Sequence, residues 1–301
     1  MTLLPPISDL SKLLGEKVAR AYLRALFLRA EEFMTFVSFF SGDSVNLTPN
    51  FHHWISDTIR SHTRSVVIAP RGGAKSTLIG LYYVLWSALC GNKHHILYIS
   101  DTFDQAKMIV GNIKAELEKN ALLLWLYPEL ADARIKEESI ELVNCKGETV
   151  LIVPLGQGMK IRGRKYQNYR PDLVVMDDIE NLDIVYSEKR RDDLKQWVDF
   201  DIEPAMDRYE KKIVLIGTVL HSQSLVSKIF NGDGRYKSWG RIKVPAILPD
   251  GSSFWPDRFP IDYLKSIRDD SEHPDYVGSV IFAQEYMNSP QDDSKRVISA
   301  A

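Results

Sequence analysis

The fold of this chain is decided by the stretch Val66-Val67-Ile68-Ala69-Pro70-Arg71-Gly72-Gly73-Ala74-Lys75-Ser76-Thr77-Leu78. Its first residues are apolar and β-branched, which predicts a buried strand, and its glycines predict a turn before an apolar helix. A strand, a glycine-rich turn and a helix in this order can bind phosphate, because the turn points backbone N–H groups at an anion and the helix N-terminus adds partial positive charge. The predicted nucleotide-binding residues are Arg71, Gly72, Gly73, Ala74, Lys75, Ser76 and Thr77.

Two residues of this phosphate loop carry its predicted chemistry. Lys75 can reach the β- and γ-phosphates and is a predicted catalytic residue, and the Ser76 hydroxyl is a predicted ligand of Mg²⁺. Ala69 and Ala74 stand where the pattern G-x-x-x-x-G-K-[ST] has glycine. This departure leaves open an ordinary strand, turn and helix with a lysine at the helix start.

A second anchor is the apolar run 173–176, which leads directly into Asp177, Asp178 and Glu180. In α/β sheets, ligands bind outside the carboxyl ends of the strands. Asp177, the second predicted metal-site residue, is therefore placed to accept hydrogen bonds from Mg²⁺-bound water or from Ser76. Either Asp178 or Glu180 would then orient and polarise the attacking water. We favour Glu180 slightly because its side chain has the longer reach. A capped loop of acids is the structural alternative.

A third feature is a basic stretch at 156–170 that has no acidic residue. Its cations are Lys160, Arg162, Arg164, Lys165 and Arg170. We predict that Arg162, beside Gly163, is catalytic and neutralises transition-state charge on the ATP of an adjacent subunit. Contact of these cations with DNA phosphates and a simple solvated loop are the alternatives.

Two weaker signals complete the predicted site. Thr218 follows Gly217 at the end of the next predicted strand, where it could hydrogen-bond the γ-phosphate or the attacking water. Phe51 and His52 immediately precede the strand of the phosphate loop, so they or their neighbours could contact the adenine.

Alternating strand and helix patterns predict the architecture. Apolar strand-like runs at 95–100, 173–176 and 212–217 are separated by helical periodicities, which indicates an α/β fold with a mostly parallel sheet flanked by helices. We expect four parts. They are an N-terminal helical segment (1–45), a P-loop ATPase core (46–235), a small C-terminal lid or closing subdomain (236–290), and a linker (291–301).

Composition excludes several classes of protein. The chain of 301 residues is 45% hydrophobic and 26% charged with a formal net charge of −2, which is ordinary for a globular protein and not that of a globally basic nucleic-acid binder. Cys90 and Cys145 have no metal-ligand spacing, which favours a reducing compartment without a zinc site. The longest apolar stretch, 77–90, is too short to span a bilayer, so we expect no membrane partner.

Taken together, these pieces resemble the large terminase subunits of tailed bacteriophages. The motifs that carry the resemblance span about residues 45–290. They are Pro70-Arg71-Gly72-Gly73-Ala74-Lys75-Ser76-Thr77, Ser100 with the helix through Ala106, Arg162-Gly163, Asp177-Asp178-Ile179-Glu180, Ile216-Gly217-Thr218 with His221, and Phe282-Ala283-Gln284-Glu285-Tyr286-Met287-Asn288. The last of these is similar to the segment that closes the terminase motor domain.

The resemblance implies a RecA-like (ASCE) P-loop NTPase that uses ATP and Mg²⁺ to pump double-stranded DNA into procapsids. It also implies a ring of subunits docked on a portal protein, recruitment by a small terminase subunit, and a place in the host cell cytoplasm. This family usually adds a C-terminal nuclease domain, and we expect the present chain to be the motor part without nuclease activity. The alternatives are another P-loop ATPase acting on nucleic acid, such as a helicase-like enzyme, a nucleotide kinase, or a nucleotide-binding assembly protein without hydrolysis.

Overall fold

The computed structural model describes residues 7–41, 48–91 and 93–289. The linker expected at 291–301 lies outside these residues. At the centre of the described chain is one eight-stranded sheet. Its strands are β1 (Arg64–Ile68), β2 (His95–Ser100), β3 (Arg134–Lys136), β4 (Ser139–Val143), β5 (Thr149–Gly156), β6 (Leu173–Asp177), β7 (Lys212–Gly217) and β8 (Gly240–Lys243).

The sheet is mostly parallel, as the sequence predicts. Its strand order is β3-β4-β5-β2-β6-β7-β1-β8, with β3 and β4 antiparallel at one edge and every pairing from β5 to β8 parallel. The central strands are apolar along their length because helices cover both faces; β6, for example, is buried at every residue. The carboxyl ends of β1, β7, β6 and β2 therefore meet at one edge, where α/β folds bind their ligands.

Helices cover both faces of the sheet. They are α1 (Ile7–Leu14), α2 (Glu16–Phe27), α3 (Phe33–Phe40), α4 (Asn50–Ser61), α5 (Val84–Leu89), α6 (Phe103–Lys119), α7 (Ala121–Leu126), α8 (Leu182–Val185), α9 (Glu188–Trp197), α10 (Glu203–Ala205), α11 (Leu225–Asn231), α12 (Ile261–Asp269) and α13 (Gly278–Ile281). Three π-helical segments, Ser76–Tyr83, Val198–Ile202 and Phe282–Tyr286, continue into or from these helices.

The helix after the phosphate loop is the buried core helix that the sequence predicts. The segment Ser76–Tyr83 runs directly into α5, and every residue of α5 is buried. Among the described residues, no helix has the length and apolar character required to cross a bilayer.

The N-terminal helices share the core of the sheet domain. The ring of Phe33 on α3 lies 5.3 Å from that of Tyr83 and 5.7 Å from that of Trp86, on the helix that follows the phosphate loop. The Trp86 indole donates a hydrogen bond to the Phe27 carbonyl at 2.9 Å. This packing fixes the outer face of the helix whose N-terminus forms the phosphate loop.

The region expected to form a closing subdomain also contributes to the sheet. Strand β8 pairs in parallel with β1, and the chain after it returns to the phosphate loop at Phe282–Tyr286. The main-chain N–H of Arg71 donates to the Glu285 carbonyl at 3.0 Å, and that of Ala246 donates to the Tyr286 carbonyl at 2.8 Å. The C-terminal part of the described chain is therefore braced directly against the phosphate loop.

Candidate nucleotide-binding site

The phosphate loop links the end of β1 to the helical residues that begin at Ser76. Gly72 and Ala74 have φ of 76° and 55°, so both lie in the left-handed region. An alanine in this conformation costs about 1–2 kcal/mol relative to glycine. Ala74 therefore adopts the backbone conformation that glycine usually has at this position. The loop keeps its turn, at the cost of strain at Ala74.

Lys75 lies folded back on its own loop. Its Nζ donates to the carbonyl oxygens of Ala69 at 2.7 Å and Pro70 at 3.3 Å, and the side chain is buried. Burial lowers the pKa of Lys75, while the carboxylates of Asp178, Asp177 and Glu285 act in the opposite direction. A buried cation held only by carbonyl oxygens has a strong preference for an anionic partner.

Asp177 ends β6 and lies beside the start of the loop helix. The Tyr98 hydroxyl donates to its Oδ2 at 2.5 Å, and a Cβ added at Gly80 would meet that hydroxyl at 2.6 Å, so Gly80 makes room for it. Burial raises the pKa of Asp177, and the hydroxyls of Ser76 and Tyr98 and the ammonium of Lys75 oppose this rise. Asp177 and Ser76, predicted to share one metal, are therefore neighbours.

The Oδ1 atom of Asp177 is buried and has no hydrogen-bond partner among the described residues. An orphaned buried carboxylate oxygen is costly unless a ligand satisfies it. Mg²⁺ prefers oxygen ligands, uses few carboxylates and keeps several of its waters. A hydroxyl and an unsatisfied carboxylate oxygen at a helix N-terminus fit a magnesium ion that carries a phosphate group.

A cavity of about 380 Å³ opens beside Asp177 at the carboxyl ends of β2, β6 and β7. Its polar lining is mainly acidic or hydroxyl-bearing. These residues are Ser100, Asp101, Asp177, Asp178, Glu180, Thr218 and Glu285. The structure thus brings the two predicted acids and Thr218 into one cavity, as expected for residues at adjacent strand ends.

Asp178 projects into this cavity from a left-handed backbone conformation, with φ of 45°. Its main-chain N–H donates to the Ile216 carbonyl at 3.0 Å, which fixes the turn after β6. The side chain is open to solvent at the floor of a concave surface, where desolvation and then the neighbouring Asp177 carboxylate raise the pKa of Asp178 to about 6. Among the described residues no hydrogen bond holds this carboxylate, so it is free to bind a water.

Glu180 is held differently. Its Oε1 accepts the Leu225 N–H at 2.6 Å and its Oε2 accepts the Val226 N–H at 2.9 Å. These N–H groups lie at the start of α11, whose N-cap is Ser224. Burial raises the pKa of Glu180, and the two backbone hydrogen bonds oppose that rise. Both carboxylate oxygens are therefore engaged in capping a helix, and the geometry favours Asp178 over Glu180 for holding a water.

Arg162 lies outside this acidic cavity. Its Nε contacts Asp201 Oδ1 at 2.6 Å and its Nη2 donates to the Phe200 carbonyl at 2.6 Å, yet 62% of the side chain remains exposed. It lines a separate cavity of about 500 Å³ that also contains Arg164, Lys165 and Arg170. Within its own chain, Arg162 is therefore not a residue of the acidic cavity.

A smaller cavity, of about 210 Å³, lies on the other side of the loop helix. It is lined by Ala74, Thr77, His52, Trp255 and Arg258, among others. His52 Nε2 is 3.0 Å from the Gly73 carbonyl, and burial lowers its pKa to about 4, so the ring is neutral near pH 7. The Arg258 guanidinium lies 5.2 Å from the Trp255 ring. A flat aromatic base could enter here beside Thr77.

Sequence reasoning missed four residues of the site: Tyr98, whose hydroxyl bonds Asp177, and Trp255, Arg258 and Glu285, which line the cavities. Tyr98 lies within an apolar strand and looks like a core residue, and Trp255 and Arg258 come from a proline-punctuated region with no motif of its own. The resemblance to terminases includes the segment 282–288, but no feature of the sequence places the Glu285 carboxylate in the acidic cavity. Phe51, by contrast, is buried in an aromatic cluster with Phe254.

This architecture, with a loop of this kind between β1 and a helix, is the RecA-like α/β fold of P-loop NTPases. More particularly, it is the fold of the ATPase domains of phage large terminases, so the resemblance seen in the sequence is confirmed at the level of the fold. A mutant form of the Thermus phage P74-26 large terminase ATPase domain superposes with a TM-score of 0.53 at 14% identity, covering 80% of this chain and 93% of that domain.

The HK97 bacteriophage large terminase superposes with a TM-score of 0.55 at 13% identity. The match covers 87% of the present chain and 55% of the HK97 protein, so the chain corresponds to about half of that terminase. No protein-family model matches the sequence. No curated protein matches it either.

Proposed function

We propose that this chain is the ATP-hydrolysing motor of a machine that translocates double-stranded viral DNA into procapsids. The observation that carries the proposal is the unsatisfied Oδ1 of Asp177 beside Ser76 and Lys75. A buried lysine, a hydroxyl at a helix N-terminus and an orphaned carboxylate oxygen together suit a magnesium–triphosphate. The terminase fold supports the choice of DNA packaging over other uses of ATP.

In this proposal each residue of the site has one task. Residues 71–77 hold the phosphates through backbone N–H groups, the Lys75 ammonium and the side chains of the loop, while Ser76 and Asp177 hold the metal. Bound Mg²⁺ neutralises charge on the phosphate oxygens. Asp178 orients the attacking water, Glu180 fixes α11 against the end of β6, and Thr218 contacts the water or the γ-phosphate. The base occupies the cavity at Thr77 and Trp255.

The proposed partners rest on the similarity of the fold to terminase ATPase domains. They are double-stranded DNA, a portal protein, a small terminase subunit and further copies of this chain in a ring, all in the host cytoplasm. The cations around Arg162 give the described surface a positive patch suited to phosphates, either of DNA or of a neighbouring subunit's nucleotide.

Phosphate release from ATP, measured with and without linear double-stranded DNA, tests this function. We expect hydrolysis that requires Mg²⁺ and rises when DNA is added. Binding of ATP without hydrolysis under either condition would instead support the assembly-protein alternative. Separation of DNA strands coupled to hydrolysis would support the helicase-like one.

Asp177→Asn should weaken the magnesium site while leaving the fold intact. The amide can still accept the Tyr98 hydrogen bond, but it lacks the charge that attracts the ion. Replacing a residue that holds a metal through its water typically costs about 10–100-fold in metal affinity or activity, so we expect the Mg²⁺ concentration at half-maximal turnover to rise by about that factor. Asp192→Asn, an exposed acid on α9, is the matched control. If the Mg²⁺ dependence of Asp177→Asn equals that of the parent chain, Asp177 does not contribute to metal binding.

A further inference from the structure

Glu285 is one of five carboxylate residues that line the acidic cavity, and it comes from a distant part of the chain. It lines the same cavity as Asp178, Glu180 and Thr218, although it belongs to the segment Phe282–Tyr286 near the C-terminal end of the described chain. Its charge opposes the fall that burial causes in the pKa of Lys75, and it adds to the rise in the pKa of Asp178. Glu285 therefore lies within electrostatic reach of the loop lysine and of the acid that follows β6.

The backbone around Glu285 is held in place on both sides. Its carbonyl accepts the Arg71 N–H at 3.0 Å, and the next carbonyl, that of Tyr286, accepts the Ala246 N–H at 2.8 Å. The buried Asn288 amide donates to the Val244 carbonyl at 3.2 Å. These contacts tie the segment to the phosphate loop and to the chain after β8, so the position of the Glu285 backbone follows from the fold.

The Glu285 carboxylate itself takes no part in this bracing. Only its main-chain carbonyl contacts the loop, and any residue could supply that group. Among the described residues the side chain has no hydrogen bond or ion pair, whereas both oxygens of Glu180 accept backbone N–H groups. An uncommitted carboxylate facing a site for a polyanion repels that ligand. A task during the reaction would account for such a residue.

We propose that Glu285 orients the attacking water together with Asp178. This inference rests on the proposed function and adds a residue to its mechanism. The oxygen of the water forms a bond to the γ-phosphorus, the bond from that phosphorus to the β–γ bridging oxygen breaks, and its electron pair leaves on ADP. One of the two protons of the water passes to a carboxylate and then to the released phosphate. Glu285 lines the same cavity as Asp178 and has the longer side chain, so it supplies the reach that Asp178 lacks.

Glu285→Gln tests the proposal, because it keeps the size of the side chain and the Arg71 contact while it removes the charge. We expect single-turnover hydrolysis to fall about 10²-fold or more, the usual contribution of a positioned proton acceptor. Affinity for magnesium–ATPγS should stay the same or increase. Affinity for magnesium–ADP–aluminium fluoride, which imitates the transition state, should fall by a factor comparable to that in the rate.

The controls separate this inference from the function on which it rests. Glu272→Gln makes the same change at an exposed position and should match the parent chain in all three measurements. If the parent hydrolyses ATP and Glu285→Gln does so equally fast, with unchanged affinity for both nucleotides, the role of Glu285 is wrong and the motor function stands. Equal loss of affinity for both nucleotides, with a lower melting temperature, would show a structural role and also overturn the proposal. A parent chain that binds no nucleotide would overturn the motor function itself.

Discussion

Lys75→Ala will reduce ATP turnover by about 10³-fold or more, since removing a preorganised group that stabilises transition-state charge costs about 10²–10³-fold and Lys75 also holds the ground-state phosphates. The Lys75 ammonium donates hydrogen bonds to the Ala69 and Pro70 carbonyls. When a triphosphate enters, the ammonium can exchange these neutral acceptors for charged ones. Alanine leaves the phosphates with the backbone N–H groups alone.

The same substitution should not unfold the protein. Lys75 is a buried cation whose pKa is lowered by burial, so its removal takes away a desolvation cost along with two hydrogen bonds. We expect a melting temperature equal to or above that of the parent, measured without nucleotide. Lys119→Ala, at the exposed end of α6, is the matched control and should hydrolyse ATP normally. If Lys75→Ala hydrolyses ATP as fast as the parent chain, this result would contradict the proposed ATPase activity and any other enzymatic activity that depends on this loop.

Arg162→Ala should lower turnover by about 10³-fold if Arg162 acts as an arginine finger toward a neighbouring subunit, the lower end of what such residues contribute. The structure gives this prediction a specific form. Arg162 is outside its own acidic cavity and contacts Asp201 through a mostly exposed guanidinium. It would have to leave Asp201 to reach a neighbour's γ-phosphate, and an exposed ion pair of this kind costs only about 0–1 kcal/mol to break.

Mixing subunits distinguishes action between chains from action within one chain. Arg162→Ala subunits keep a complete loop, and Lys75→Ala subunits keep Arg162, so an assembled mixture should recover part of the lost turnover. Each variant alone should stay inactive. Arg164→Ala, in the same basic cavity, serves as the control for a general loss of positive charge. An assembled mixture that recovers no turnover would contradict the action of Arg162 on a neighbouring subunit. It would leave binding of DNA phosphates as the proposed role of the basic cavity.

The parts of the site that follow one another along the chain could be predicted from the sequence. A strand, a glycine turn and a helix are local features, and Asp177 directly follows four buried apolar residues, so periodicity alone placed both at the carboxyl edge of a parallel sheet. The strand order explains why they meet: β7 lies between β1 and β6, and the start of the loop helix reaches across to Asp177.

The contacts made between distant residues could not be predicted. The longer side chain of Glu180 favoured it as the acid that orients the water. In the structure, however, its carboxylate oxygens accept the N–H groups of Leu225 and Val226, 45 and 46 residues further on. In the sequence, Tyr98 looks like an aromatic residue of the core. Its hydroxyl can reach Asp177 because Gly80 has no side chain in that space. Glu285 enters the cavity because its segment is tied to Arg71, a contact that no local pattern reveals.

Ser76 and Asp177 are proposed to share one magnesium–triphosphate, and a crystal structure with magnesium, ADP and aluminium fluoride would test this most directly. We expect the Ser76 hydroxyl to bind the metal and Asp177 Oδ1 to accept a hydrogen bond from one of the metal's waters. Lys75 Nζ should have moved from the loop carbonyls onto the phosphates, and a water on the fluoride should face Asp178. A nucleotide bound elsewhere, or a metal held without Ser76 and Asp177, would contradict this proposal.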